Sequence, residues 1–386
     1  MAILKIVDDL TKAVDDKRIT VGIFVDLAKA FDTVDHMVLM KKLDFYGIRG
    51  VAYNWFYSYL SNRKQYVSIN KIMSKQAIMK CGVPQGSILG PILFLIYIND
   101  LNSVSNTFQN IMFADDTNLF MSGKNITELE NNINNELIKI SKWFQANLLS
   151  LNAKKTSYIM FGNNNVKKLN MHLHIQNIPI ERQYETKFLG VILSSNLTWS
   201  AHIKVVVGKL SKNLGIIAKV RHLLPWTLTK MLYLTLVEPY INYCNIVWAG
   251  ITPTNNLEKI FKVQKKYCRL ITFSEFRAHS KPLFVNLNLL NVYEIYKYQL
   301  SCYMYRLRNG QLPDTYNFIT NADVHSYDTR RKNDIRKDKH RTKCRANTVR
   351  FLGPTLWNQL PQVVKNISSF SLFKKRIKHF ILYPTE

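Results

Sequence analysis

Three aspartates are the residues of this chain best placed to do chemistry. Asp26 closes a short apolar, β-prone stretch, Thr20 to Val25. Asp115 and Asp116 sit between Ile111–Ala114 and Thr117–Met121, a pattern that reads as strand, tight turn, strand. A carboxylate at a strand end or in a hairpin turn is held by backbone and can face a cleft. If the two elements lie side by side in one sheet, Asp26 meets Asp115 and Asp116 although 89 positions separate Asp26 from Asp115. Three converging carboxylates repel one another and do not all ionise without a cation. Mg²⁺ relieves that repulsion, since it favours carboxylate oxygens together with phosphates and water. Two such ions about 3.5–4 Å apart would activate a 3′-hydroxyl and stabilise a leaving pyrophosphate. Taken alone, each aspartate reads more readily as an ordinary strand-end or surface residue. Asp8–Asp9 and Asp15–Asp16 show the same pairing and read as solvated helix faces.

The elements that must position these residues follow from periodicity and punctuation. Ile3, Ile6, Val7, Leu10 and Val14 form a helical stripe over Ala2 to Val14. Asp35 to Tyr46 reads as a helix with Asp35 at its start and Gly47 as its stop, and Val51 to Leu60 as a second, aromatic-rich one. Gln65 to Ile69 and Gln76 to Lys80 are strand candidates; a Pro-Gln-Gly turn then leads into an apolar helix, Ser87 to Leu101. Thr127 to Leu148 is a long amphipathic helix with the stripe Leu129, Ile133, Leu137, Ile140, Phe144 and Leu148, and with Thr127 and Glu130 at its cap. Thr156 to Phe161 and Phe188 to Leu193 read as strands. Beyond about residue 200 the pattern turns helical and aromatic. The first half is therefore α/β around acidic turns, and the second a basic helical body.

Composition narrows the partners. The chain has 386 residues, 47% apolar and 12% aromatic, enough to bury a core and too apolar for wholesale disorder. Five cysteines without a CxxC argue against a disulfide framework or a zinc knuckle, and fit a reducing, intracellular setting. The longest apolar run, Ile88 to Ile98, is too short to span a membrane and contains Gly90 and Pro91. Lys5, Asp8 and Asp9 interrupt the N-terminal apolar residues, so they do not form a secretory signal. The net charge of +27 points to a polyanion, most simply nucleic acid. It is unevenly spread: residues 1–162 hold 18 basic and 14 acidic side chains, residues 163–386 hold 35 and 12. Arg330 to Arg345 is densest, with nine Lys or Arg against two Asp. It reads either as a solvated linker or as a phosphate-contacting arm, and the charge asymmetry favours the arm.

In order along the chain, FVDLAKAFDTVDH (24–36), CGVPQGSILGPILFLIYINDL (81–101), FADD (113–116), LNAKKT (151–156), KFLGV (187–191) and GPTLWNQLP (353–361) resemble the reverse transcriptase of non-LTR, LINE-type retrotransposons, especially the jockey-like group. PQGS, LGP and FADD at this spacing carry most of that resemblance, which covers nearly the whole chain. It implies a right-hand polymerase: an α/β palm built on an antiparallel sheet over residues 1–195, a helical thumb over 196–310 and a basic C-terminal region over 311–386. Only 25 residues precede Asp26, so the resemblance also implies an N-terminally truncated copy with most of the fingers missing.

The implied roles are specific. Asp26, Asp115 and Asp116 would hold two Mg²⁺ ions, with Mn²⁺ as an alternative, and the Leu27 backbone would meet a metal. Phe31 would exclude a 2′-hydroxyl, while Gln85 and Gly86 would line the incoming dNTP after the turn fixed by Pro84. Lys155 would protonate or steady the pyrophosphate, with Lys154 as a competing neighbour. Phe188, Leu189 and Gly190 would form the primer grip. Lys204, Lys209 and Lys212, with Lys219 and Arg221, would follow duplex phosphates from the thumb, and Arg330, Arg331 and Lys332 would contact nucleic acid from the basic arm. The implied partners are an RNA template, a DNA primer and dNTPs, with no membrane. The implied location is intracellular, in the nucleus or cytoplasm as a ribonucleoprotein. The competing readings are a catalytically inactive remnant that binds nucleic acid, and a polymerase of another class such as a group II intron maturase; GPTLWNQLP and the form of FVDLAKAFD disfavour the latter.

Overall fold

The computed structural model describes residues 1–163, 166, 168–313, 316–324 and 331–383. The chain divides into two compact units: Lys17–Tyr184, and Met1–Asp16 together with Glu185–Glu386. Among the described residues no helix is long and apolar enough to cross a membrane.

The chain opens with helix α1 (Ala2–Asp15) and strand β1 (Ile19–Val25). Helices α2 (His36–Phe45), α3 (Gly50–Leu60) and α4 (Leu89–Ile98) follow, then the hairpin β2 (Gln109–Phe113) and β3 (Asp116–Gly123), helix α5 (Ile126–Ala146), and strands β4 (Ser157–Phe161) and β5 (Glu181–Arg182). The five strands form one sheet in the order β5-β4-β1-β3-β2, antiparallel except for the β4–β5 pair.

Alternation along the strands decides which face is core. In β1, Val21 and Ile23 are opposite Met121 and Leu119 of β3 and opposite Met160 and Tyr158 of β4. All six are buried in one cluster with Leu39 and Leu43 of α2, Phe94 and Tyr97 of α4, and Ile133, Leu137, Ile140 and Phe144 of α5. Fully burying each such aliphatic side chain contributes about 1.5–3 kcal/mol. Residues of opposite parity, among them Phe24 and Phe120, therefore occupy the face turned away from these helices. Their rings meet edge to face at 5.9 Å.

Most predicted elements in this unit form, with small shifts at their ends. Asp35 caps α2 by accepting from the Val38 N–H at 2.9 Å. The α5 cap is Asn125 rather than Thr127, because the Asn125 carboxamide accepts from the Thr127 N–H. Leu148, expected in the α5 stripe, lies past the helix end and is exposed. The two strand candidates between α3 and α4 reduce to short ladders, Lys64–Gln65 on Ala77–Ile78 and Ser68–Ile69 on Ile72–Met73.

Among its described residues the second unit is helical except for a hairpin, β6 (Glu185–Phe188) and β7 (Val191–Ser194), which has its turn where the resemblance implies a primer-grip hairpin and breaks the strand read over Phe188 to Leu193. Its main helices are α6 (Ser200–Val220), α7 (Trp226–Leu236), α8 (Thr254–Ile271), α9 (Val292–Arg308), α10 (Val349–Gln359) and α11 (Phe370–Leu382). Trp199, Trp248, Tyr233, Tyr267 and Tyr305 are fully buried among them.

Helix α1 belongs to this unit and corrects the reading of its acidic pairs as solvated. Asp8 receives the buried Arg345 guanidinium at 2.7 Å, and Arg345 also donates to the Asp8 carbonyl and to Thr11. Asp15 accepts from the Arg341 and Thr342 backbone N–H groups and from the Thr342 hydroxyl. Burial pushes the Asp8 carboxyl up and Arg345 draws it back. The end of the basic stretch, expected to contact phosphates, instead fastens α1: a guanidinium that is 5% exposed is not available to a ligand.

Candidate active site

Strand register brings the acidic residues together. Val25 is paired with Thr117, so the antiparallel alignment carried one residue further sets Asp26 across from Asp116. Both have the parity of Phe24 and Phe120 and so lie on the sheet face away from the helices. Asp115 and Ala114 form the two-residue loop between Phe113 and Asp116, which are themselves paired. Ala114 has φ +52°, a left-handed conformation that costs a non-glycine residue about 1–3 kcal/mol.

The electrostatics follow. The Asp116 carboxyl is pushed above the usual carboxylate range by burial first, then by the like charges of Asp115 and Asp26. Asp116 thus feels both of the other carboxylates across the β1–β3 seam. Among the described residues, no three His, Cys, Asp or Glu side chains are gathered closely enough to enclose a metal ion. The aspartates are neighbours rather than a closed ligand set. Their chemistry, anionic oxygen donors crowded against one another, is still the kind that a hard divalent cation satisfies.

Asp26 is held by a segment far away in sequence. Its carbonyl accepts from the Asn152 N–H at 2.9 Å and its N–H donates to the Thr156 hydroxyl at 3.3 Å. That hydroxyl, on a side chain 1% exposed, donates in turn to the Asn152 carbonyl at 3.0 Å. The Ala28 N–H donates to the Ser150 carbonyl, and Leu27, itself buried, bridges Leu151. These bonds fasten LNAKKT to the end of β1 and place exposed Lys154 and Lys155 in the turn beside Asp26. Asn152 and Thr156, the polar residues of LNAKKT that flank the lysines, are the groups that make this attachment, a role the sequence reading did not assign them.

The Pro-Gln-Gly turn docks on the loop after β1. The Gly82 and Val83 N–H groups donate to the Val34 and Phe31 carbonyls at 2.7 and 2.9 Å, and His36 Nε2 bonds the Gly82 carbonyl at 2.8 Å. Gln85 donates to Asp32 at 2.8 Å. Gly82 has φ +90°, and a Cβ there would stand 2.8 Å from the Asp32 carbonyl oxygen, so only glycine fits this approach. Phe31 lies half-buried with its ring 4.7 Å from that of Phe94. Gly86 is exposed, with nothing within 4 Å of a Cβ position. Phe31, Gln85 and Gly86 are thus carried by two loops bonded to each other.

In the second unit, Leu189 and Gly190 are the turn of the β6–β7 hairpin, with φ of +43° and +82°. Phe188 is buried beneath it. The Tyr243 hydroxyl, 54 residues away, donates to the Leu189 carbonyl at 2.6 Å and holds the strained tip; no sequence signal pointed to it. Lys204, Lys209, Lys212 and Lys219 are all exposed along α6, while Ile203, Val206, Leu210 and Ile217 are buried. The Lys209 ammonium rests over the Tyr240 ring at 4.9 Å. Arg331 and Lys332 are exposed, and Arg330 lies outside the described residues.

The profile of the reverse transcriptase (RNA-dependent DNA polymerase) family matches residues 3–193. A probable RNA-directed DNA polymerase from transposon BS of Drosophila melanogaster is 27% identical over 319 residues, covering 78% of this chain and 34% of that protein. The RNA-directed DNA polymerase from mobile element jockey of the same species is 26% identical over 290 residues, 72% of this chain and 31% of that one. The chain therefore spans about a third of the length of these curated relatives. A solved telomerase from Candida albicans, in complex with a telomeric RNA fragment, aligns over 82% of this chain and 53% of its own, at 12% identity and a TM-score of 0.28. With FADD in a hairpin turn against the end of β1 and PQG bonded to the loop that follows it, the chain belongs, through residues 3–193, to the reverse transcriptase (RNA-dependent DNA polymerase) family, and it is similar to the RNA-directed DNA polymerases of non-LTR transposons.

Proposed function

We propose that this chain is the polymerase portion of a mobile element and that it transfers a nucleotide from a dNTP to a primer 3′-hydroxyl on an RNA template. The observation that carries this reading is the alignment of Asp26 with Asp116, beside Asp115, on the sheet face away from the helices. Reverse transcriptases use divalent metal ions. In this chain Asp26, Asp115 and Asp116 would hold two Mg²⁺ ions or their Mn²⁺ equivalents, which, when bound, supply charge for the attacking and leaving oxygens.

The remaining roles belong to the protein's own groups. The hydrogen-bonded turn at 150–156 fixes the Asp26 backbone and presents Lys155 as the proton donor to the departing pyrophosphate. The Phe31 ring, backed by Phe94, limits the space beside the sugar and so disfavours a 2′-hydroxyl. Gln85 and Gly86 line the nucleotide, and backbone can approach it closely at Gly86. Leu189 and Gly190, with Phe188, hold the primer end. Lys204, Lys209 and Lys212, with the basic residues near Arg331, follow phosphates without reading sequence. The Lys17–Tyr184 unit then serves as palm, rather than the whole of residues 1–195, and the helical unit supplies the thumb over 196–310 and the basic extension over 311–386.

The test is primer extension on poly(rA)/oligo(dT) with Mg²⁺. Incorporation that Asp116→Asn abolishes supports the reading. Incorporation unchanged by that substitution removes the metal assignment, and RNA binding without any incorporation favours a nucleic-acid-binding remnant.

A further inference from the structure

The segment between α3 and α4 has no part in the site described above. Every residue from Asn62 to Ile78 is exposed, yet the segment is ordered as one long hairpin. The Met79 N–H donates to the Arg63 carbonyl at its base, and the Ser74 N–H to the Val67 carbonyl midway, both at 2.8 Å. At its tip Asn70 and Lys71 have φ of +49° and +70°, the two left-handed residues of a tight hairpin turn.

Its composition is unusual for a fully exposed ribbon. Tyr66, Val67, Ile69, Ile72, Met73 and Ile78 all face solvent, Ile72 at 77% and Ile69 at 67%. A two-stranded hairpin with no core of its own is marginal in water; Ile69 is paired with Ile72 and Val67 shares their face, an exposed apolar patch of the kind that marks a contact site. Residues 61–80 also carry five cations, Arg63, Lys64, Lys71, Lys75 and Lys80, and no acid. Among the described residues none of the five makes an ion pair; Arg63 lies over the Tyr59 ring at 5.3 Å.

Five cations without a counter-charge select a polyanion. Apolar and aromatic side chains between those cations select one whose bases are unstacked, because side chains can pack on the faces of unpaired bases and an A-form duplex offers none. We propose that the hairpin Asn62–Ile78 is a binding element for single-stranded RNA, with Lys64, Lys71 and Lys75 on phosphates and Val67, Ile69 and Ile72 against bases. It rests on the polymerase reading only in naming that strand as template; binding itself requires no chemistry at the aspartates.

The test is fluorescence anisotropy of the full chain with a labelled 20-nucleotide oligo(rU), titrated over a range of salt. Each phosphate contact on a single strand contributes about 0.7 to the slope of log K against log[salt]. Lys64→Gln/Lys71→Gln/Lys75→Gln should lower that slope by about 2 and weaken binding about 100-fold at 0.1 M salt. Ile69→Ser/Ile72→Ser should weaken binding about tenfold and leave the slope unchanged. Both variants alter only exposed residues, and unchanged thermal unfolding verifies that they fold. A triple variant with wild-type slope and affinity overturns the proposal. So does equal protection of the hairpin by a blunt RNA duplex, or an Ile69→Ser/Ile72→Ser variant that loses self-association in sedimentation while binding RNA normally, since that face would then belong to a second copy. Asp116→Asn should keep the wild-type slope, so a failed primer extension with an intact hairpin effect counts against the polymerase reading alone.

Discussion

Replacing Thr156 by Val removes one hydroxyl and nearly nothing else, and it tests how the chain positions Asp26. The side chain is 1% exposed, and its oxygen bridges the Asp26 N–H at 3.3 Å and the Asn152 carbonyl at 3.0 Å. The Asn152 carbonyl keeps two other donors in the variant, the N–H groups of Lys155 and Thr156. The Asp26 N–H loses its partner at a half-buried position, where water compensates in part. The cost is therefore at the low end for an unmade hydrogen bond, about 1 kcal/mol in urea unfolding. One of the two backbone tethers on Asp26 also goes, leaving only the Asn152 N–H at 2.9 Å. If the same 1 kcal/mol loosens the carboxylate cluster, Mn²⁺ affinity measured by electron paramagnetic resonance falls about fivefold. Thr156→Ser, which keeps the oxygen, should restore most of that affinity. Wild-type Mn²⁺ affinity in Thr156→Val, or an equal loss in Thr156→Ser, would refute the reasoning.

Arg345→Ala strips the buried partner from Asp8 and should destabilise the second unit by about 3–5 kcal/mol, with limited proteolysis opening first within α1. Gly82→Ala forces a Cβ against the Asp32 carbonyl at φ +90° and should cost about 1–3 kcal/mol in urea unfolding, while loosening the Pro-Gln-Gly turn. His202 is buried between Trp199 and Trp248, and burial holds its imidazole down to about 4. The unfolded chain then binds the extra proton between about pH 6.5 and pH 4, so stability should fall as pH drops through that window, by up to about 3 kcal/mol, and His202→Phe should flatten the slope.

Local patterns made most of the first unit legible. The α5 stripe, the Asp35 cap and the apolar runs of β1 and β3 each encode their element in adjacent residues. The aspartates could be brought together from sequence because Asp26 follows the end of one strand and Asp115–Asp116 sit at the turn of a hairpin. What joins distant segments was not legible. The Thr156 hydroxyl on Asp26, the Tyr243 hydroxyl on Leu189 and the Arg345 guanidinium on Asp8 are single side chains that act across 130, 54 and 337 residues, with no periodicity to announce them. Asp8 and Asp15 looked solvated because helix spacing alone does not reveal a basic partner supplied from the far end of the chain. The hairpin at 62–78 was read as strands, but its complete exposure depends on what packs around it, which no local pattern records.

The most direct measurement is Mn²⁺ binding to the unmodified chain, compared with Asp26→Asn, Asp115→Asn and Asp116→Asn, alongside thermal unfolding in metal-free buffer. If the three carboxylates form one cation site, each substitution weakens Mn²⁺ at least about tenfold, as expected for losing an anionic ligand. Asp116→Asn should also raise the metal-free unfolding temperature at neutral pH: a carboxylate with a raised pKa loses stability as pH climbs through it, and the amide removes that penalty. Mn²⁺ affinity that is the same in all four proteins would contradict the account at its centre.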